Sequence, residues 1–264
     1  MRSRMAVAAA LPTPSPPFRW TEAPWGPALV CDALSPHAWH FFSARGVEVA
    51  GPEDAPAWSD VAAALGVHVD RLWRVHQVHG IDVTVADCAP AGPDAWPQGD
   101  LLVTEREDAA LAIRTADCVP ILLVDPVRRI VAAVHAGWRG TALGAAQHIV
   151  SLLEERYDVV PADVIAAIGP SIGAERYEVG PEVDSGFRRR FEADDVARWC
   201  SPAGDGRFHL DLWQANVDQL TMAGLRASQV HVSRLCTATH PQVFHSYRVD
   251  GPRAGRMVAG IRLR

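Results

Sequence analysis

The sequence predicts a single α+β domain, and three observations carry that reading. The stretch Ile130 to Thr141, IVAAVHAGWRGT, reads as a strand buried on both faces, a glycine turn at Gly137 and Gly140, and the start of a helix. Between Asp100 and His135 four short apolar runs (LLVTE, ALAIRT, VPILLVD, RIVAAVH) leave little room for crossover helices. Neighbouring strands there are expected to pair largely as antiparallel hairpins. No internal repeat or linker interrupts the chain after its first residues. At 264 residues, with 48% hydrophobic and 21% charged side chains, the chain can bury one large core.

The elements follow in order. Residues 1–18 read as a flexible Pro/Ala-rich tail, leaving 19–264 as the folded domain. Their alanine run is too short and too weakly apolar for a signal peptide or anchor, and four prolines follow it. Two strands occupy Trp25 to Ala44. A short helix runs from Ser59 to Leu65, with Ser59 or Asp60 as its cap. Leu72 to Asp87 reads as a strand with Trp73, Val75, Gln77 and His79 on one face and Arg74, His76 and Val78 on the other. His76 and His79 therefore diverge unless Gly80 ends the strand. A glycine-proline loop spans Ala89 to Gln98, and Asp125-Pro126 turns the chain between the last two of the four apolar runs. Leu143, Ala146, Val150, Leu153 and Tyr157 form one apolar face of a helix from Thr141 to Tyr157. DVIAAIGPSIG supplies another buried strand and a second glycine-rich turn. Helices are expected over Pro181 to Phe191 and Asp211 to Ala223, and late strands in SQVHVS and GRMVAGIRL.

Composition narrows the function classes. A net charge of −6 gives no electrostatic reason to expect a nucleic-acid or anionic-membrane partner, and no stretch is long enough to span a bilayer. All 25 basic residues are arginine. Lysine nucleophiles and Schiff bases are thereby excluded, and any bound anion must be gripped by arginine or backbone N–H. Five widely spaced cysteines without a Cys-x-x-Cys pair argue against a disulfide framework and fit a reducing cytoplasm.

Three metal-capable residues stand where strands give way to turns: His79 before Gly80, Cys118 before Val119-Pro120, and His135 before Ala136-Gly137. Such positions gather on one rim of a sheet, where sites are built. Two imidazoles and a thiolate leave a fourth position open, as in catalytic zinc sites, and sulfur with nitrogen also suits copper. The residues alone equally allow Cys118 to be a small buried side chain and the histidines to be satisfied core or surface groups. Strand, glycine turn and helix also point N–H groups above the strand end. Arg139 lies in that turn, either as part of an anion cradle or as a solvent-facing residue.

Five ordered segments (VHQVHG, LAIRTADCVPILLVD, VAAVHAGWRGT, AIGPSIGAERYEVG and CTATHPQVFHSYRVDGPRAGRM) together resemble the YfiH-like family. Its members are also called laccase-domain or multicopper polyphenol oxidase proteins, and include purine nucleoside phosphorylases related to YlmD and FAMIN. The resemblance covers nearly everything from about Phe41 onward. It implies an α/β/β/α layered sandwich with mixed sheets, and one zinc per chain held by His79, Cys118 and His135. The family's FSTR-x-GGVS element matches HFFSARGVEVAGP only as far as Arg45, the counterpart of an arginine that would face phosphate or substrate. The GGVS part is missing. Arg176 replaces a cysteine often found before YEVG, and His245 stands where phenylalanine is common.

The function so implied is zinc-dependent phosphorolysis of purine nucleosides (adenosine, inosine, guanosine, methylthioadenosine), with adenosine deamination as a second activity. Phosphate would be held by Arg45 or Arg139, helped by backbone N–H groups at Gly140 and Thr141. His76 and Asp117 are candidate proton carriers, Asp117 being otherwise a turn-capping carboxylate. A copper-dependent polyphenol oxidase is disfavoured by counting, because one Cys and two His fall short of several copper centres and no His-x-His follows. Two rival functions are a cysteine hydrolase with Cys118 as nucleophile and a peptidoglycan-precursor editing factor.

Overall fold

The computed structural model describes residues 10–47, 49, 55–87 and 96–264. The chain opens with strands β1 (Phe18–Ala23), β2 (Gly26–Cys31) and β3 (Ala38–Ser43), followed by helix α1 (Ala55–Ala64). Two short strands, β4 (Leu72–Trp73) and β5 (Val83–Val85), precede β6 (Leu101–Thr104), β7 (Ala110–Thr115), β8 (Val119–Asp125) and β9 (Ile130–Ala136). Helices α2 (Trp138–Ala142) and α3 (Ala145–Tyr157) lead to β10 (Ile165–Ile168), β11 (Glu178–Val179), α4 (Pro181–Arg188) and α5 (Ala193–Trp199). Then come β12 (Cys200–Gly204), β13 (Arg207–Leu210), α6 (Leu212–Met222), β14 (Val230–Val232), the single turn α7 (Tyr247–Asp250) and β15 (Met257–Leu263).

Two six-stranded sheets stack face to face. Their strand orders are β1-β2-β3-β15-β7-β4 and β14-β10-β8-β9-β6-β5. Pairing is antiparallel except for β4 with β7, β10 with β14, and β5 with β6, so both sheets are mixed. Side chains alternate across each strand. Phe42, Leu111, Ile113 and Ile261 of the first sheet meet Leu102, Leu122, Val131 and Ala167 of the second in the central core. The opposite face of the first sheet, with Phe41, Ala112 and Val258, is covered by Trp58, Val61 and Leu65 of α1. The second sheet's outer residues, Val103, Ile121 and Val134, pack under Ile149, Leu153, Phe187 and Trp199. The result is the α/β/β/α sandwich.

Several local expectations change. The run of hairpins from β6 to β9 is only partly formed. β8 and β9 pair in register from Val119↔Ala136 to Asp125↔Ile130, but β7 belongs to the other sheet. The apolar runs are buried on both faces, so they carry no polar face to say which sheet each joins. The chain crosses between layers after β6 and back again at Ala116 to Cys118. The single strand expected over Leu72 to Asp87 is two short strands separated by irregular backbone, with His79 at φ 63°. The helix expected over Thr141 to Tyr157 breaks at Gly144, where φ is 84°. Ser59 and Asp60 lie inside α1 rather than capping it. The hairpin β12–β13, helix α5 and strand β1 lacked a clear pattern in sequence. Of the expected tail, residues 1–9 lie outside the described residues, as do Cys88 and most of the Ala89–Gln98 loop. The rest of that tail is tied down, with the Ser15 N–H donating to Ser233 O at 3.0 Å and the Trp20 indole donating to Pro12 O at 2.7 Å.

The two sheets approach closely at Gly169, just past β10. A Cβ there would run into the ring of Phe42, which is only 1% exposed. Gly169→Ala should therefore force the layers apart and cost about 1–3 kcal/mol by overpacking. Urea unfolding at equilibrium checks this; an unchanged midpoint would mean that the Phe42 ring has room to move.

Candidate metal centre and cavity

The crossing at Ala116 to Cys118 carries a thiol to the rim where β8 begins and β9 ends. Cys118 stands one residue before the Val119↔Ala136 pair, and His135 sits opposite Pro120 on the neighbouring strand. His79 arrives from the irregular segment before β5. The ligand atoms of His79, Cys118 and His135 lie within 4.8 Å of one another, and the two imidazoles meet edge to face at 5.0 Å. Gly137 lets the chain turn directly over this group: a Cβ there would stand 2.9 Å from Cys118 Sγ and 3.1 Å from His79 Cδ2.

Asp100, which no motif in the sequence singled out, organises the corner. Its carboxylate is wholly buried and accepts from His135 Nδ1 at 2.8 Å. It also accepts three successive backbone N–H groups, those of Val78 (3.2 Å), His79 (3.0 Å) and Gly80 (2.7 Å). The left-handed backbone at His79 is thus held by the same carboxylate that orients His135. With Nδ1 engaged, His135 has Nε2 to offer. A carboxylate behind a ligating histidine fixes its tautomer and strengthens it as a donor. Burial would raise the Asp100 carboxyl, but His135 and the Gly80 and His79 N–H groups outweigh it and hold the group below the usual carboxylate range.

The charges suit ligation. Burial alone would push the Cys118 thiol up, yet the His135 and His79 imidazoles beside it bring it down to about 6. Burial would likewise lower His135, and the Cys118 thiolate and Asp100 carboxylate together raise it to about 9. Each group thus favours the charged form of the other, and a cation held by the Cys118 Sγ and the two imidazoles would favour the thiolate in the same way. Two nitrogens and one sulfur, oriented from behind and unobstructed at Gly137, fit a zinc or copper ion with one position open. This is the one such group of three or more His, Cys, Asp or Glu among the described residues.

The corner opens into a cavity of about 640 Å³. Its walls include Trp138, Tyr177 and Tyr247, and the arginines Arg114, Arg139, Arg248 and Arg256. The Arg139 guanidinium lies 4.5 Å from the centre of the Trp138 ring, and that of Arg248 lies 5.0 Å from Tyr177 while donating to Glu178 O at 2.9 Å. Gln77 pairs with the backbone of Arg114 through two 2.8 Å hydrogen bonds. Among the described residues, Arg139, Arg248 and Arg256 form no ion pair with a carboxylate.

Other expected site residues have different surroundings. Arg45 is outside the cavity: it donates to His245 Nδ1 at 3.2 Å, to Asp250 at 3.0 Å and to Pro241 O, so its charge is already matched. His76 faces away, its ring 5.6 Å from that of Trp96 on the α1 side, although the backbone between β4 and β5 is too irregular for strand alternation to account for it. Gly140 and Thr141 are buried under α6, Thr141 accepting from Asn216 at 3.3 Å and from Gln219 at 2.8 Å. Both lie within α2, where the Thr141 N–H donates to Gly137 O at 2.8 Å and is not free to cradle an anion. Asp117 borders the cavity, but its carboxylate accepts from Thr237, Ser246 and the Arg248 N–H. No periodic signal in the sequence marks Tyr247 and Arg248, which lie in the single turn α7, or Arg256, which lies just before β15.

Comparison with known proteins adds to this geometry. The family model described as multi-copper polyphenol oxidoreductase laccase matches residues 55–264. Purine nucleoside phosphorylase YlmD of Geobacillus stearothermophilus is 38% identical over 207 residues, spanning 76% of this chain and 75% of that protein. Adenosine deaminase RL5, from an unknown prokaryotic organism, is 36% identical over 208 residues, 76% of this chain and 78% of the relative. The crystal structure of YlmD from Geobacillus stearothermophilus superposes with a TM-score of 0.85 at 30% identity, covering 94% of this chain and 100% of that one.

Asp100→Asn should keep the shape of the corner and lose its charge. Metal affinity is expected to fall about 10- to 100-fold, as for other carboxylates behind ligating histidines. Titration of the metal-free protein with zinc measures this, and an unchanged dissociation constant would deny Asp100 that role.

Proposed function

Because the chain belongs to the multi-copper polyphenol oxidoreductase laccase family, whose relatives here include a purine nucleoside phosphorylase and an adenosine deaminase, we propose that it is a zinc-dependent purine nucleoside phosphorylase that also deaminates adenosine. The observation that carries this reading is the His79–Cys118–His135 group opening onto a cavity with three arginines that no carboxylate among the described residues neutralises. The substrates would be purine nucleosides (adenosine, inosine, guanosine, methylthioadenosine) and inorganic phosphate. Residues 19–264 would act as one catalytic unit, and the four free cysteines among the described residues fit a reducing cytoplasm.

In phosphorolysis a phosphate oxygen bonds to the ribose anomeric carbon as the bond to the base nitrogen breaks. The electron pair leaves with the base, which takes up a proton. Arg139 and Arg248 are the candidates to hold the dianion. Each is stacked on an aromatic ring, which orients its planar donors without neutralising them. Trp138, Tyr177 and Tyr247 offer aromatic surface for the base. Zinc, when bound, supplies Lewis acidity and lowers the pKa of water to about 7, which suits hydrolytic deamination. Asp100 keeps His135 and His79 in ligating orientation. Arg45 and His76 have no part in this assignment.

Copper remains chemically compatible with the donor set, but one three-residue group among the described residues falls short of a multi-copper oxidase. A cysteine-hydrolase reading draws on the depressed Cys118 thiol. Metal dependence separates the two chemistries, since chelation would spare a cysteine nucleophile.

Adenosine should yield adenine and ribose 1-phosphate only when phosphate is present, while inosine should form with or without it. Chromatography of the products decides, and base release at equal rate in phosphate-free buffer would point to a hydrolase. Cys118→Ala should lose its zinc and both activities, which metal analysis and the same assay check. Arg139→Ala should raise the KM for phosphate about 10- to 100-fold, the loss of one charge-assisted contact. Arg45→Ala, by contrast, removes no contact to phosphate; it should lower the unfolding midpoint and raise the KM for phosphate less than Arg139→Ala does.

A further inference from the structure

We propose that Asp117 is a positioning residue: by holding the first turn of α7 it fixes Tyr247 and Arg248 in the cavity wall relative to the metal corner. This rests on reading the cavity as the nucleoside and phosphate site.

Asp117 directly precedes Cys118, at the point where the chain crosses from one sheet to the other. Its φ of 83° is left-handed, an uncommon conformation for a residue other than glycine. The residue is 8% exposed, and its carboxylate takes three donors from more than a hundred residues away: the Thr237 hydroxyl at 2.5 Å, the Ser246 hydroxyl at 3.1 Å and the Arg248 N–H at 2.6 Å. Its own carbonyl accepts the Ile172 N–H at 2.9 Å. Ser246 in turn caps α7, accepting the Val249 N–H at 3.4 Å. The other end of α7 is held by the Asp250–Arg45 pair at 3.0 Å. Between these two anchors α7 presents Tyr247 and Arg248, and Arg248 reaches across to Tyr177 and Glu178 O.

A carboxylate offers about four acceptor positions, and three are filled here by donors fixed in the fold. A proton carrier needs one that meets the substrate. Asp117 is built instead to hold two parts of the site at a set separation. The β7–β8 crossing gives the metal corner its Cys118, and the C-terminal segment gives the wall its Tyr247, Arg248 and Arg256. Asp117 touches both directly: it is bonded covalently to Cys118 and through a hydrogen bond to Arg248.

The test compares Asp117→Asn, Arg248→Gln, the double variant and Thr237→Val. Zinc content, kcat, KM for phosphate with adenosine, the pH profile and amide hydrogen exchange over residues 246–250 are measured. Asp117→Asn should retain one zinc per chain, raise the KM for phosphate about tenfold with kcat within about threefold, and keep both limbs of the pH profile. The Arg248 and Val249 amides should exchange about tenfold faster or more. In the KM for phosphate the double variant should be no worse than Arg248→Gln alone, because Asp117 reaches phosphate only by placing the Arg248 guanidinium. Thr237→Val should move the same readouts in the same direction by less, and it carries the test if Asp117→Asn does not fold. Loss of one limb of the pH profile with an unchanged KM would make Asp117 a proton carrier and overturn the proposal, as would additive effects in the double variant. If the unaltered protein releases no base from adenosine and phosphate, the functional reading fails. Amide exchange then still decides whether Asp117 holds α7.

Discussion

A carboxylate with no exposed surface, Asp100, holds together parts of the chain that would otherwise have no reason to meet. It sits at the start of β6 and bonds sideways to His135 on β9 and to three consecutive N–H groups of residues 78–80. Burying a charge is costly unless it is paired and hydrogen-bonded, and here four donors surround it. The arrangement stiffens the one irregular segment that contributes a candidate ligand. His79 lies on backbone with no sheet partners, so without Asp100 its imidazole would be the least fixed of the three.

The layered architecture explains why the corner lies where it does. Both sheets bury both faces, which leaves no room for polar chemistry inside either of them. Chemistry collects at the seam, where the chain passes from one sheet to the other between β7 and β8. That passage supplies Asp117 and Cys118, and the glycine turn after β9 supplies the space above them. The C-terminal segment closes the cavity on the far side, tied down by Asp117 at one point and by Arg45 at another. Arg45, though outside the cavity, therefore contributes to its shape.

The strands were legible in sequence because apolar runs are a local signal. Strand-to-turn junctions marked His79, Cys118 and His135 only as candidates, and it was the resemblance to the YfiH-like family that implied them as one set. Asp100 was not legible, since its partners come from residues 78–80 and 135 and no spacing rule links them. The sheet assignment of β7 was hidden for a related reason, an apolar run with no polar face to orient it. Arg45 was read as a phosphate contact because it matches an arginine of the family pattern, but its surroundings are set by Asp250 and Pro241, some two hundred residues away. Arg248 and Arg256 lie in segments with no periodicity, and only the folded chain shows them facing one cavity with Arg139.

The position of β15 has a consequence for how the protein is made. Residues 257–263 form a central strand of the first sheet, between β3 and β7, pairing Leu263 with Ala38 and Met257 with Thr115. Until they leave the ribosome, β3 and β7 are two edges without a partner, and exposed edges of this kind invite pairing with other chains. The second sheet needs no such late strand, because β14 and everything before it has already emerged. Synthesis should therefore pass through a state with one sheet formed and the other split.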